Sequence, residues 1–283
     1  MSSKDKPTNY REVEAGIRST FRNNMAYADY LDLRQVLGAQ QMLTDEHDEM
    51  LFVIIHQASE LWIKLCTFEL RAAMREVGDD NLRQAFKVMS RIKTILRQLT
   101  QSWDVLSTLT PVDYLKFRDS LGNASGFQSY NYRTMEFLLG NKNAQVIRVF
   151  RSNPGAHAAL EKTLHAPSLY DIAIRRMAAH GLPVSGDVLE RDVSQPYPGY
   201  ASVESAWLQV YESPDEFYEF YELGEKLVDI EDAFQMWRFK HLSTVRRIIG
   251  EKHGTGGSSG LGFLKKALET SFFPELIELR TQL

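Results

Sequence analysis

Two of the seven histidines in this 283-residue chain stand where an imidazole has chemistry open to it. Ile230, Phe234, Trp237, Val245 and Ile248 recur with a helical period, and His241 falls on the same stripe. A ring so placed is either a core group bonded to a carbonyl or the axial ligand of a b-type haem, which asks one imidazole of the chain. Spacing alone leaves both open. His56 follows Phe52 by one turn in another apolar helical segment and needs a polar partner wherever it is buried. Tyr114 and Arg118, at i and i+4, are neighbours on one helix face. A guanidinium fork matches a carboxylate and a phenol adds a donor, although a solvated basic face has the same pattern. Residues 254–262 (GTGGSSGLG) form either a plain connector or a lid whose amides and hydroxyls close over a polar ligand.

Other chemistries are excluded by what the spacing lacks. There is no HExxH or HxxxH pair for zinc. The one cysteine, Cys66, sits among Leu65 and Phe68 and reads as a small buried hydrophobe. The glycine stretch has no Gly-Lys-Ser/Thr, and Ser259 stands where a dinucleotide fingerprint needs glycine. With 33 Lys+Arg against 37 Asp+Glu, no global field draws the chain to nucleic acid. Hydrophobic residues at 43% and aromatics at 11% exclude intrinsic disorder. The start, MSSKDKPTNYREV, has no apolar leader, and the longest apolar run, residues 50–55, is short for a bilayer. The expectation is a soluble, cytoplasmic protein without a membrane partner.

Long helices have to carry these side chains. Residues 48–77 are apolar nearly all round in their first half and predict a deeply buried helix. Leu82, Ala85, Phe86, Met89, Ile92, Leu96 and Leu99 lie on one stripe of an amphipathic surface helix. Thr110-Pro111-Val112-Asp113 is a helix start: a capping hydroxyl, a proline suited to the first turn, and an acid at the positive end. Ser213-Pro214-Asp215-Glu216 repeats that logic with a capping box and predicts a helix from there to Gly250. Residues 183–200 read as a loop, and residues 254–262 as a flexible one. With no internal repeat and no linker, the expectation is one all-α domain over residues 1–283.

Four segments in order, HDEMLFVIIHQASELWIKL (47–65), TPVDYLKFRDSLGNASGFQSYNYRTMEFLLGNKN (110–143), FQMWRFKHLSTVRRIIG (234–250) and GTGGSSGLGFL (254–264), resemble the tryptophan 2,3-dioxygenase family. The resemblance spans about residues 20–283. It implies an all-α enzyme with haem b, ferrous when active, held between the long helices that bear His56 and His241. It implies cleavage of the indole C2–C3 bond of L-tryptophan, with O₂ as co-substrate, to N-formyl-L-kynurenine. That is the first step of tryptophan catabolism by the kynurenine pathway. It further implies a homotetramer, a dimer of dimers, with residues 1–45 as an arm contacting a neighbouring subunit.

By the same resemblance, His241 matches the axial ligand of the haem iron. Phe52 and His56 match the indole pocket, His56 accepting the indole N–H, and Ser125 matches a distal hydroxyl beside the haem. Tyr114 and Arg118 match the carboxylate clamp, and Thr255 a contact to the ammonium and carboxylate end. Tyr27 matches a tyrosine reaching into a neighbour's pocket, with Tyr30 and Leu31 close by. A haem-binding sensor without turnover would need His241 but neither the clamp nor the Thr255 loop. A helical scaffold would need no cofactor at all. Indoleamine 2,3-dioxygenase chemistry with relaxed substrate choice suits the Thr255 loop and the N-terminal tyrosines less well.

Overall fold

A computed structural model describes residues 9, 11–18 and 24–283. Every regular element among them is helical, as the periodicity predicts. The chain falls into two compact units, residues 1–41 and 42–283. The first holds two short helices, α1 (Tyr27–Tyr30) and α2 (Leu33–Leu37), joined through Asp32 at φ 49°. The second holds α3 (His47–Gly78), α4 (Leu82–Leu106), α5 (Pro111–Arg118), α6 (Tyr130–Leu139), α7 (Pro154–Leu164) and α8 (Leu169–Ala179). It continues with α9 (Gly186–Leu189), α10 (Ala201–Glu212), α11 (Tyr218–Ile249), α12 (Leu261–Leu268) and α13 (Pro274–Glu278).

The second unit is organised by α3, α4 and α11, with α4 packed against both of the others. The expected stripe on α4 is realised: Leu82, Ala85, Met89, Ile92, Leu96 and Leu99 are all buried. They meet Ile63, Cys66, Leu70, Ala73 and Val77 of α3, and Leu223, Leu227, Ile230 and Phe234 of α11, in one core. Spacings of three and four residues put each set on a single helix face, which is what lets long helices pack side by side.

Two expectations are corrected. Helix α3 is not deeply buried: Ile54, Leu61, Trp62, Leu65 and Phe68 are exposed, Phe68 at 66%. It carries two apolar stripes, and only one of them faces the core of its own unit. In length and composition α3 is also apolar enough to cross a bilayer, yet its buried stripe packs on α4, and Glu69 there pairs with Arg91 at 2.8 Å. Helix α11 starts at Tyr218 and not at Ser213. The Ser213 carbonyl accepts the N–H groups of Glu216 and Phe217 at 3.1 Å each, closing a turn before the helix begins. The Thr110 start is realised: its Oγ1 accepts the Asp113 N–H at 3.2 Å, with Pro111 in the first turn. Residues 183–200 are a loop apart from the single turn of α9.

Candidate active site

One cavity of about 110 Å³ gathers side chains from four helices, α3, α4, α5 and α11. Phe52 and His56 come from α3, Trp103 and Leu106 from the end of α4, and His241, Thr244, Val245 and Ile248 from α11. Leu109 and Tyr114 complete the wall. The apolar members belong to a small core of their own, built on Leu106, Leu109, Tyr114, Phe117 and Ile248.

His56 has a defined tautomer. Its Nδ1 lies 2.7 Å from the carbonyl oxygen of Phe52, and a carbonyl only accepts. Nδ1 therefore carries the proton, leaving the Nε2 lone pair free to accept one hydrogen bond. Burial lowers the pKa of this ring, against the opposing pull of the Phe52 carbonyl and Glu60, and so favours the neutral form. His241 differs. Its ring stacks on Trp103 with centroids 4.5 Å apart at 10° and tilts against Trp237 at 5.6 Å. Neither of its nitrogens makes a hydrogen bond among the described residues, so it is not a core histidine satisfied by a carbonyl. Burial pushes its pKa down to about 4, and protonation of the nearby His56 would act in the same direction. The neutral imidazole is the form that ligates a metal.

Tyr114 and Arg118 do share a face of α5. The phenol is buried; burial raises its pKa and the adjacent Arg118 only partly offsets this, so it remains a donor. Arg118 donates from Nη2 to the His253 carbonyl at 2.8 Å, while its Nε is buried with no partner among the described residues. The connection between α11 and α12 lies over this end of α5. Thr255 Oγ1 donates to the Ala124 carbonyl at 2.5 Å. Ser125 Oγ accepts the Phe127 N–H at 3.3 Å and caps the 3-10 turn Gly126–Gln128.

The structure thus brings Phe52, His56, Tyr114 and His241 to one cavity and joins Arg118, Ser125 and Thr255 through the loop. Tyr27, Tyr30 and Leu31 lie in the N-terminal unit, on α1 and its C-cap, and all three are exposed. Sequence reasoning missed Trp103, Leu106, Leu109 and Thr244. A signal existed for the first: Trp103 extends the Leu96–Leu99 stripe of α4 by one more turn.

An iron porphyrin asks for one neutral imidazole, apolar walls for its ring and donors for its carboxylates. His241 meets the first demand, and Phe52, Leu106, Val245 and Ile248 the second. Trp103 Nε1 and Arg118 Nε, buried donors without partners among the described residues, fit carboxylate-bearing ligands. The donor set fits. At about 110 Å³ the cavity has room for only a few water molecules, so it must widen to admit such a group.

A model of the family described as tryptophan 2,3-dioxygenase matches residues 11–283. The tryptophan 2,3-dioxygenase of Shewanella woodyi is 60% identical over 278 residues, covering 98% of this chain and 97% of that one. That of Geobacillus thermodenitrificans is 54% identical over 275 residues, covering 97% and 98%. That of Bacillus thuringiensis (strain Al Hakam) is 52% identical over 271 residues, covering 96% and 97%. Likeness of this degree runs end to end through the helices that build the cavity, and the chain belongs to the tryptophan 2,3-dioxygenase family.

Proposed function

We propose that the chain is a haem-dependent dioxygenase that cleaves the indole C2–C3 bond of L-tryptophan with O₂ to give N-formyl-L-kynurenine. The observation that carries this reading is the cavity in which His241, an imidazole without a hydrogen bond among the described residues, and His56, an imidazole of fixed tautomer, both line the wall with Tyr114. Family membership supports the same assignment.

His241 would hold the haem iron, and haem, when bound in its ferrous form, supplies the activation of O₂. The other residues select and orient. The free Nε2 lone pair of His56 suits the indole N–H, and Phe52, whose ring centroid is 4.1 Å from that of His56, offers an apolar face to the indole. Arg118 holds the carboxylate once substrate displaces the His253 carbonyl from its guanidinium, and the Tyr114 phenol adds a donor. Thr255 contacts the ammonium and carboxylate end, and Ser125 would present a hydroxyl beside the bound haem. Fixing both ends of the zwitterion brings the C2–C3 bond to a single position, which lowers the entropic part of the barrier. The loop above Ser125 keeps water out during the reaction.

Tyr27, with Tyr30 and Leu31 beside it, completes the pocket of a neighbouring copy through the arm formed by residues 1–45. The working assembly is a homotetramer. In support, these tyrosines are exposed in their own unit and α3 carries an apolar stripe open to solvent.

Replacing His241 by alanine tests the reading. The variant should keep the helical circular dichroism of the wild type while losing tight haem binding and turnover, because one axial bond anchors the iron. A variant with full haem occupancy and an unchanged ligand-field spectrum contradicts the assignment.

A further inference from the structure

The loop between α11 and α12 touches the Ser125 turn more closely than any side chain would permit. A Cβ built on Gly256 stands 2.6 Å from Ser125 Cβ and 2.7 Å from Ser125 Oγ. Ser125 has little freedom to yield. Its Cβ is fixed by the backbone, and its Oγ is engaged as the cap of the 3-10 turn. Gly254, by contrast, would meet only the Oγ of Ser258, the far end of a flexible side chain. Gly257 and Gly260 have φ of +81° and +60°, where glycine is favoured for conformation; Gly256 has no such φ. Space alone makes glycine necessary at position 256.

The hydrogen bonds that seat the loop lie on the residues just before it. Arg118 Nη2 reaches the carbonyl of His253, and Thr255 Oγ1 reaches that of Ala124, the residue before Ser125. We propose that Gly256 is a positioning residue for the tryptophan reaction: its bare backbone lies flush on Ser125 and so brings Thr255 down to the substrate's ammonium and carboxylate end. This rests on the proposed reading of Thr255 and Arg118 as substrate contacts. A methyl group at 256 would lift the loop until the contact with Ser125 reached ordinary van der Waals distance. The Thr255 bond to Ala124 would lengthen with it, and the closed loop would become less populated.

Gly256→Ala and the exchange Ser125→Gly/Gly256→Ala, which removes the Ser125 Cβ and Oγ that the new methyl would meet, give the test, with Ser125→Gly alone as the control for the lost turn cap. The first readout needs neither substrate nor turnover: limited trypsin cleavage after the exposed Lys252, in the full-length protein. Gly256→Ala should speed cleavage by about fivefold or more, since opening of this order follows from losing one such contact. The exchange should bring the rate back toward that of the wild type. The second readout is steady-state kinetics, in which Gly256→Ala should raise the KM for L-tryptophan by more than it lowers kcat. Unchanged cleavage in Gly256→Ala, or no recovery in the exchange, overturns the seat. Faster cleavage that the exchange reverses, with KM unchanged, overturns the link from Gly256 to substrate. Absence of tryptophan turnover in the wild type would instead defeat the functional reading, and the cleavage rates would still decide the seat.

Discussion

At the residue scale, Arg118 has two partners under the proposed function, a loop carbonyl and a substrate carboxylate. Its Nη2 donates to the His253 carbonyl; under the proposed function it would serve a carboxylate instead. A charge-assisted bond to a carboxylate is stronger than one to a neutral carbonyl, so exchange favours the substrate. Arg118→Ala should therefore raise the KM for L-tryptophan about tenfold or more and leave haem content unchanged. Indole derivatives without a carboxylate should lose far less, and equal losses for both would refute the clamp. Cys66 has a sharper expectation. Burial, with Glu69 adding to it, raises its thiol from 9.0 to about 12. Alkylation of the native protein near pH 8.5 should thus be slower than that of the unfolded chain by about 10³-fold, which mass spectrometry measures. Because the native state keeps this proton longer than the unfolded one, its contribution to stability is full below pH 9 and declines as pH rises toward 12. The sequence shows which residue types are available, and His56, His241, Tyr114 and Arg118 could be picked from it. It does not show that His56 and His241 line the same cavity, because periodicity assigns a face to each helix and not the element opposite.

Helix α5 shows what an element must supply. Its eight residues are too few to be helical on their own, yet they carry Tyr114 and Arg118. The Thr110 hydroxyl accepts the Asp113 N–H and donates to the Asp113 carboxylate at 2.5 Å, which fixes the first turn. Thr110→Ala should cost about 1 kcal/mol of stability, with Thr110→Ser nearly neutral, both read from denaturant midpoints. The alanine variant should also raise the KM for L-tryptophan through the loosened clamp. Helix α11 has a polar device at its other side. Arg238 donates to the carbonyls of Ala267 and Thr270, Gln235 donates to that of Thr270, and Glu231 accepts the N–H groups of Phe272 and Phe273. These three residues tie the end of α12 and the segment after it to the helix that bears His241. The Thr110 start was legible because a cap depends on neighbours in sequence. The start of α11 was misplaced because Ser213-Pro214-Asp215-Glu216 suits a turn as well as a cap, and the choice depends on packing around Phe217 and Tyr221. The α11 ladder was not legible at all, since its partners are backbone groups some 30 to 40 residues away.

At the scale of the whole molecule, α3 carries two apolar stripes with different surroundings. One of its stripes, Ile63, Cys66, Leu70, Ala73 and Val77, is buried in its own unit. The other, with Ile54, Leu61, Leu65 and Phe68, is open to solvent, which is the feature that supports the proposed assembly. An all-round apolar pattern predicts burial for α3 because composition does not tell which faces of a helix its own unit covers. Under the proposed assembly, Leu61→Asp and Phe68→Asp should each shift the mass seen by light scattering toward smaller species and reduce activity. An unchanged mass in both removes this face from the interface. Mixing is the test of the arm. Tyr27→Ala keeps its haem and His241→Ala keeps its tyrosine, so co-expression should restore part of the activity that neither shows alone; no recovery means that Tyr27 serves its own chain or none. The central claim concerns the reaction itself, and one measurement reaches it most directly. Purified ferrous, haem-loaded protein is given L-tryptophan under ¹⁸O₂, its absorption spectrum is followed, and the product is identified by mass spectrometry. The account predicts a spectral change on adding tryptophan, then N-formyl-L-kynurenine carrying label in both inserted oxygen atoms. A spectrum that responds to tryptophan with no product formed would mark a sensor, and label in only one oxygen would contradict a dioxygenase.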